Sequence, residues 1–298
     1  MKQIERVSLL GLGAVGTPLA VRLRSALGSG FSVIADERRR ERMRREGTIF
    51  NGERYDFSFA AKPDHKELIL IATKASSLPA ALDMLAPFIG SETIVLSLLN
   101  GIESEETIAA RFPEAHVLYS YFLGHPSLRE GNRITHDGNY RIYFGEAQNL
   151  TLSPAAERVR QLFERAEIPY SIPEDMRAAM WQKFVINIGC NQTTALLRCP
   201  YGHLQRNDRA MMLAVDLMNE AAAVARAIGI AQADEMVDRA VETIRSMNPE
   251  GKSSMLQDVE AGRPTEIDIF AGTLCRLADE LRIPVPLNRI ARRILSAL

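Results

Sequence analysis

Over its first half the chain alternates between short, unbroken apolar runs and stretches whose apolar positions recur every three to four residues. Unbroken runs suit strands buried on both faces, and the intervening helical periodicity supplies the crossovers that parallel strands require. The runs predict strands at Val7 to Leu10, Phe31 to Ala35, Leu68 to Ala72, Thr93 to Leu98 and Val117 to Tyr121. The periodic stretches predict helices around Ala14 to Leu27, Arg38 to Arg45, Leu78 to Leu85 and Glu105 to Phe112. Two further segments, Asn132 to His136 and Tyr140 to Phe144, flank Asp137-Gly138-Asn139 and predict an antiparallel hairpin. A helix from Pro154 to Ala166 closes this part.

After a loop bearing Pro169 and Pro173 the pattern changes. From Glu174 onward it is helical, with stops expected at Pro200, Gly229, Pro249 to Gly251 and Pro284 to Pro286. A chain of 298 residues exceeds the roughly 100 to 200 of one domain, so two are expected. The division is residues 1–171, an α/β domain with a doubly wound parallel sheet, and residues 172–298, an all-helical domain.

Composition narrows the partners. With 36 basic and 37 acidic residues the formal net charge is -1, so no global field draws the chain to nucleic acid or to an anionic membrane. Cys190, Cys199 and Cys275 are odd in number and form no CxxC pair, which fits a reducing compartment, offers no metal framework and reads as three small buried hydrophobes. Lys2 and Arg6 before an apolar stretch imitate a secretory signal, but Gly11, Gly13, Gly16 and Pro18 interrupt it and no cleavage site follows. A cytoplasmic protein acting on small molecules is expected.

The first predicted strand runs directly into Gly11-Leu12-Gly13-Ala14-Val15-Gly16, which opens the first predicted helix. In that context GxGxxG reads as a dinucleotide-binding turn. Gly11 permits the tight turn, Gly13 lets a pyrophosphate approach the backbone, and Gly16 allows close packing of helix on strand. This makes the α/β domain Rossmann-type. Nicotinamide cofactors are told apart at the end of the second strand, where Asp36 is followed by Glu37 and by six arginines between Arg38 and Arg45. An acid there suits the ribose hydroxyl of NAD(H), whereas an arginine suits the phosphate of NADP(H). Surface arginines are also often solvated without a role.

In the helical half, the stretch from Arg177 to Arg198 carries Lys183, Asn187 and Asn191 at steps of four. On an α-helix these fall within an arc of roughly 80 degrees, amid Trp181, Phe184, Val185, Ile186 and Ile188. A buried polar line needs partners. It is a substrate site or a core helix with hydrogen-bonded amides. Ser253-Ser254-Met255-Leu256-Gln257-Asp258 and Thr265-Glu266-Ile267-Asp268 place a hydroxyl and a carboxylate twelve residues apart within one helical region, where a capping box and ion pairs are the simpler account.

Together these motifs, with Thr73-Lys74-Ala75, Leu99-Asn100-Gly101 and Thr194-Ala195, resemble the ketopantoate reductase family along nearly the whole chain. The resemblance implies a helical domain like that of 6-phosphogluconate dehydrogenase and reduction of a small 2-keto acid by NADP(H). It implies Lys183 as proton donor with Glu266 beside it. Asn100, Asn187, Asn191 and Ser254 would hold substrate, and Lys74 and Asn100, with the glycine turn, the cofactor. Where the family usually carries arginine, this chain has Asp36, which leaves NAD(H) open. The segment from Tyr119 to Arg129, with His125 and Pro126, also departs from the family. Helical second domains of this kind often pair, so a homodimer is compatible. Two rivals stand beside this reading: a reductase of another 2-keto acid on the same scaffold, and a cofactor-binding sensor without turnover.

The chemistry suits the residue types. Hydride addition to a carbonyl builds negative charge on oxygen, which a protonated lysine, of reference pKa about 10.4, can meet and then neutralise by releasing its proton. Neutral amides and a hydroxyl recognise the remaining oxygens without competing charge.

Overall fold

The computed structural model describes residues 2–60, 64–124 and 128–298, so His125 and Pro126 lie outside the described residues. The chain divides into two compact units, Met1–Met176 and Arg177–Leu298.

In order, the first unit contains β1 (Val7–Leu10), α1 (Gly16–Leu27), β2 (Phe31–Ile34), α2 (Glu37–Glu46), β3 (Thr48–Phe50) and β4 (Glu53–Tyr55). Next come β5 (Leu68–Ile71), α3 (Leu78–Leu85), β6 (Ile94–Ser97), α4 (Ser104–Arg111) and β7 (His116–Gly124). It ends with β8 (Leu128–Glu130), β9 (Arg133–Thr135), β10 (Tyr140–Gly145), α5 (Pro154–Arg165) and β11 (Tyr170–Ser171). The main sheet has seven strands in the order β11-β10-β7-β6-β5-β1-β2. From β7 to β2 its neighbours are parallel, and β10 joins β7 antiparallel.

Alternate residues of these strands feed two cores. Leu9, Leu68, Leu70 and Leu96 face one side with Leu19, Leu23, Val159 and Phe163 of α1 and α5. Leu10, Ile69, Ile71 and Val95 face the other with Leu82, Leu85 and Ile108 of α3 and α4. Burial on both faces is why these strands read as unbroken apolar runs.

One expectation fails. Residues 132–136 and 140–144 do not form a hairpin: β9 pairs parallel with β3 and antiparallel with β8, whereas β10 pairs with β7 and β11. A second sheet, β4-β3-β9-β8, results. Side chains divert the chain at the intervening turn. Gly138 N donates to His136 Nδ1, Asn139 N donates to Asp137 Oδ1, and Asn51 accepts from His136 N while donating to its carbonyl. The hairpin signal belongs instead to Asn51-Gly52, both at positive φ (49° and 88°), which joins β3 to β4.

The second unit is helical among the described residues. It comprises α6 (Met176–Ile186, whose first residue closes the first unit), α7 (Gln192–Leu197), α8 (Tyr201–Arg206) and α9 (Asp208–Ala227). After these come α10 (Met236–Ser246), α11 (Ser254–Glu260), α12 (Thr273–Leu281) and α13 (Pro286–Leu295). Two π-turns interrupt the pattern, Asn187–Asn191 between α6 and α7 and Asp268–Gly272 before α12. The stretch from Arg177 to Arg198 is therefore not one uniform α-helix. The three cysteines are buried and free, and burial raises each thiol's pKa. No helix among the described residues is long and apolar enough to cross a membrane.

Candidate active site

In the first unit the residues expected to bind a nucleotide follow the carboxyl ends of neighbouring parallel strands. Gly11 comes after β1, Asp36 after β2, Lys74 after β5 and Asn100 after β6. This is the edge where open α/β sheets bind ligands.

The glycine turn packs tightly at Gly11 and Gly16 and is open at Gly13. Gly11 has φ +106°, and a Cβ there would stand 2.5 Å from the Ala72 carbonyl oxygen. A Cβ on Gly16 would stand 1.9 Å from the carbonyl oxygen of Gly11, so helix and turn are in backbone contact. At Gly13, beyond its chain neighbours, such a Cβ meets within 4 Å among the described residues a single side-chain atom, Nη1 of Arg129, at 3.6 Å. Among the described residues, the approach to Gly13 is thus open on this side to an anion. α1 begins without a side-chain cap or an acid in its first turn; Thr17 N is used by the Gly13 carbonyl and Pro18 has no N–H, so the positive end of the helix, rather than a full set of free donors, faces such a ligand. Beside the turn, the buried Thr73 hydroxyl has no hydrogen-bond partner among the described residues. These features fit a nicotinamide dinucleotide.

Asp36 has local work. Its Oδ1 accepts from Arg39 N at 2.8 Å and caps α2, while Oδ2 lies 3.4 Å from Arg39 Nε. The arginines of α2 divide by role. Arg40 donates to the Ala35 and Ala60 carbonyls, Arg44 pairs with Glu37 and covers the Phe59 ring, and Arg45 pairs with Glu46. Arg42 has no carboxylate in salt-bridge reach among the described residues.

Below the Asn100 loop lies a polar network that the sequence patterns did not reveal. Ser97 Oγ donates to Ser104 Oγ at 2.8 Å, and Ser104 Oγ donates to Glu105 Oε2 at 2.9 Å. Ser120 N donates to Glu105 Oε1 at 3.3 Å, and the Ser120 hydroxyl donates to the Ser97 carbonyl. Glu105 is buried. Desolvation outweighs the hydrogen bonds from Ser104 and Ser120, and its pKa is pushed up to about 8.

In the second unit, Lys183 and Asn187 are partly buried and Asn191 is buried. The π-turn between them inserts a residue into the helical repeat, so the uniform step of 100 degrees assumed from sequence does not hold there. Gly189 lets the turn pack closely on α9: a Cβ there would meet Met218 Cγ at 2.4 Å and the Ala214 carbonyl oxygen at 2.8 Å. Phe184, next to Lys183, packs on Trp181 and also on Phe270, four residues beyond Glu266, with ring centroids 5.3 and 6.2 Å apart. The Lys183 helix and the segment following Glu266 are thereby held together.

Ser254 and Glu266 do not share a helix. α11 ends at Glu260, and Gly262 (φ +60°) and Pro264 break the chain before Glu266. Ser253, not Ser254, caps α11, accepting from Leu256 N, and Ser254 is exposed on its first turn. Asp268 pairs with Arg292 of α13.

The comparisons with known proteins agree with this layout. Residues 7–149 match the family model of ketopantoate reductase PanE/ApbA, and residues 175–298 match that of the ketopantoate reductase PanE/ApbA C terminal. The 2-dehydropantoate 2-reductase of Vibrio cholerae is 29% identical over 292 residues, covering 95% of this chain and 94% of the relative. Among solved structures, a PanE/ApbA family ketopantoate reductase from Ralstonia eutropha superposes with a TM-score of 0.84 at 27% identity, covering 97% of each chain. A D-mandelate dehydrogenase, solved with NADH and anilino(oxo)acetate, shares the fold at TM-score 0.86 and 20% identity, over 98% of this chain and 97% of its own.

Proposed function

The chain belongs to the ketopantoate reductase PanE/ApbA family of NAD(P)H-dependent oxidoreductases, and on that premise we propose that it reduces the C2 keto group of ketopantoate to pantoate, in the cytoplasm, with NADPH preferred over NADH. The observation that carries the reading is the packing of Phe184 on Phe270, which holds the helix bearing Lys183, continued by the π-turn of Asn187 and Asn191, against the segment that follows Glu266.

The bound nicotinamide would supply the hydride. In this reading the Lys183 ammonium donates a hydrogen bond to the keto oxygen, meets the charge that develops there and gives up its proton to the alkoxide. Glu266 is assigned to orient the ammonium. Asn187, Asn191 and Ser254 bind the substrate's hydroxyl and carboxylate through neutral donors and acceptors, so that Lys183 keeps its attraction for the reacting oxygen. In this reading Asn100 is assigned to the nicotinamide and the substrate, and Lys74 to the nucleotide. Two copies are expected to pair through the helical unit, which sedimentation would reveal.

The test is a panel of 2-keto acids, ketopantoate, a simple aliphatic keto acid and an aryl glyoxylate, with loss of NADPH or NADH absorbance followed at equal concentrations. The highest kcat/KM is expected for ketopantoate with NADPH. Preference for the aryl compound would move the protein to another 2-keto acid on the same scaffold, and no turnover with any member would favour a sensor.

A further inference from the structure

Arg129 stands on β8, in the second sheet, yet it reaches the glycine turn of the first. Its Nη1 lies 3.6 Å from where a Cβ on Gly13 would be, on the open side that a phosphate would approach. The placement is built into the fold. β8 pairs with β9, and β9 with β3, the strand that leaves α2. The Asn132 side chain, in the turn between β8 and β9, donates to the carbonyls of Glu46 and Gly47 at the end of α2, and Ile49 N donates to the Asn132 carbonyl. Arg129 Nε donates to the Gly131 carbonyl at 3.2 Å, which fixes the plane of the guanidinium.

The charged groups that act on it directly are arginines. Partial desolvation lowers the pKa of Arg129, which remains exposed in part, and the nearby guanidinium groups of Arg42 and Arg39 on α2 lower it further. No carboxylate among the described residues lies in salt-bridge reach of Arg129 or Arg42, and the acid of Asp36 is engaged with Arg39. Three guanidinium groups gathered at an anion-binding turn are unfavourable alone and become favourable once a phosphate sits among them. α2 follows the strand whose end receives the adenosine ribose in this fold, so the phosphate best placed to meet both α2 and β8 is the one on the ribose.

We propose that Arg129, together with Arg39 and Arg42, forms a clasp for the 2′-phosphate of NADPH, which makes Arg129 a specificity-determining residue supplied by the second sheet. The inference rests on the nucleotide half of the proposed function. It also accounts for Asp36 without opposing NADPH, because the acid's position is taken by a helix cap.

The experiment is a calorimetric titration of the full-length protein with NADPH, NADH and adenosine 2′-monophosphate, without any keto acid, for the wild type, Arg129→Ala, Arg129→Lys and Arg45→Ala. Arg129→Ala is expected to weaken NADPH and adenosine 2′-monophosphate by about tenfold or more while NADH changes by less than about twofold, the scale of a lost charge-assisted hydrogen bond. Arg129→Lys should recover part of the loss. Arg45→Ala, which removes an equal charge from an arginine paired to Glu46, should leave all three ligands unchanged. Equal weakening of NADPH and NADH would overturn the assignment and give Arg129 to the pyrophosphate, and no weakening would overturn it outright. Failure of the wild type to bind either dinucleotide would refute the nucleotide reading itself, an outcome distinct from an Arg129 variant that binds like the wild type. Melting curves confirm that each variant is folded.

Discussion

The hydroxyls of Thr194 and Ser253 lie 2.7 Å apart, and this contact ties the helix that carries Asn191 to the cap of the helix that carries Ser254. The hydrogen atoms can be placed without conflict. Thr194 donates back to the Cys190 carbonyl at 2.8 Å, Ser253 donates to Thr194, and Ser253 accepts from Leu256 N. Both side chains are buried.

Thr194→Val keeps the shape and removes both bonds, leaving Ser253 and the Cys190 carbonyl short of a partner. Urea denaturation should show a loss of about 1–3 kcal/mol. If the tie positions Asn191 and Ser254 on substrate, KM for the keto acid should rise more than kcat falls. A variant as stable as the wild type would show that the contact carries no net energy.

Glu105 predicts how stability responds to pH. Its folded pKa of about 8 stands well above the value of about 4.3 for an unfolded glutamate, so across that window the folded state holds a proton that the unfolded state has lost. The group's contribution is full below about pH 4.3 and is lost as pH rises toward about 8. Glu105→Gln retains the neutral shape and removes the titration. Its melting temperature should fall less than that of the wild type between about pH 5 and about pH 8, and identical slopes would place the carboxyl's titration elsewhere.

What the sequence disclosed follows from burial and length. β1 and β5 lie between two cores, so nearly every residue in them is apolar and the prediction lands within a residue of the observed bounds. The second sheet was hidden because its strands are three residues long and β3 pairs with β9 across the sequence, Ile49 opposite Arg133. No local periodicity reports such a pairing, although Asn51-Gly52 marked one hairpin. With that sheet went Arg129, left in a segment that had no account. The π-turns were invisible for a related reason: a single inserted residue alters the direction of Asn187 and Asn191 without altering composition. Glu105, in the first turn of α4, looks from the sequence like an ordinary helix-terminal acid, and only the packing of β6 and β7 against it makes it a buried one.

Asp36→Ala separates two roles for one carboxylate. As the cap of α2 it should contribute about 1 kcal/mol to stability, read as a lower melting temperature. If the acid's work is confined to capping and to Arg39, NADH affinity should stay near the wild-type value while NADPH affinity holds or rises. A steep loss of NADH binding alone would make Asp36 a ribose ligand and reverse the expected cofactor preference.

Lys183 bears the chemical step in the proposed mechanism, and two substitutions test different parts of it. Lys183→Ala removes both the positive charge and the proton, and kcat should fall by about 100-fold or more, the scale of a lost general acid. Lys183→Arg keeps the charge, but a guanidinium does not release its proton near neutral pH. Substrate binding should therefore survive in Lys183→Arg while turnover stays low. Nucleotide affinity, measured without keto acid, should be unchanged in both, since the glycine turn, Lys74 and Asn100 belong to the other compact unit. Turnover of Lys183→Arg close to the wild-type rate would reduce the side chain to an electrostatic anchor and require a different proton donor, because an arginine can stabilise an alkoxide but cannot protonate it.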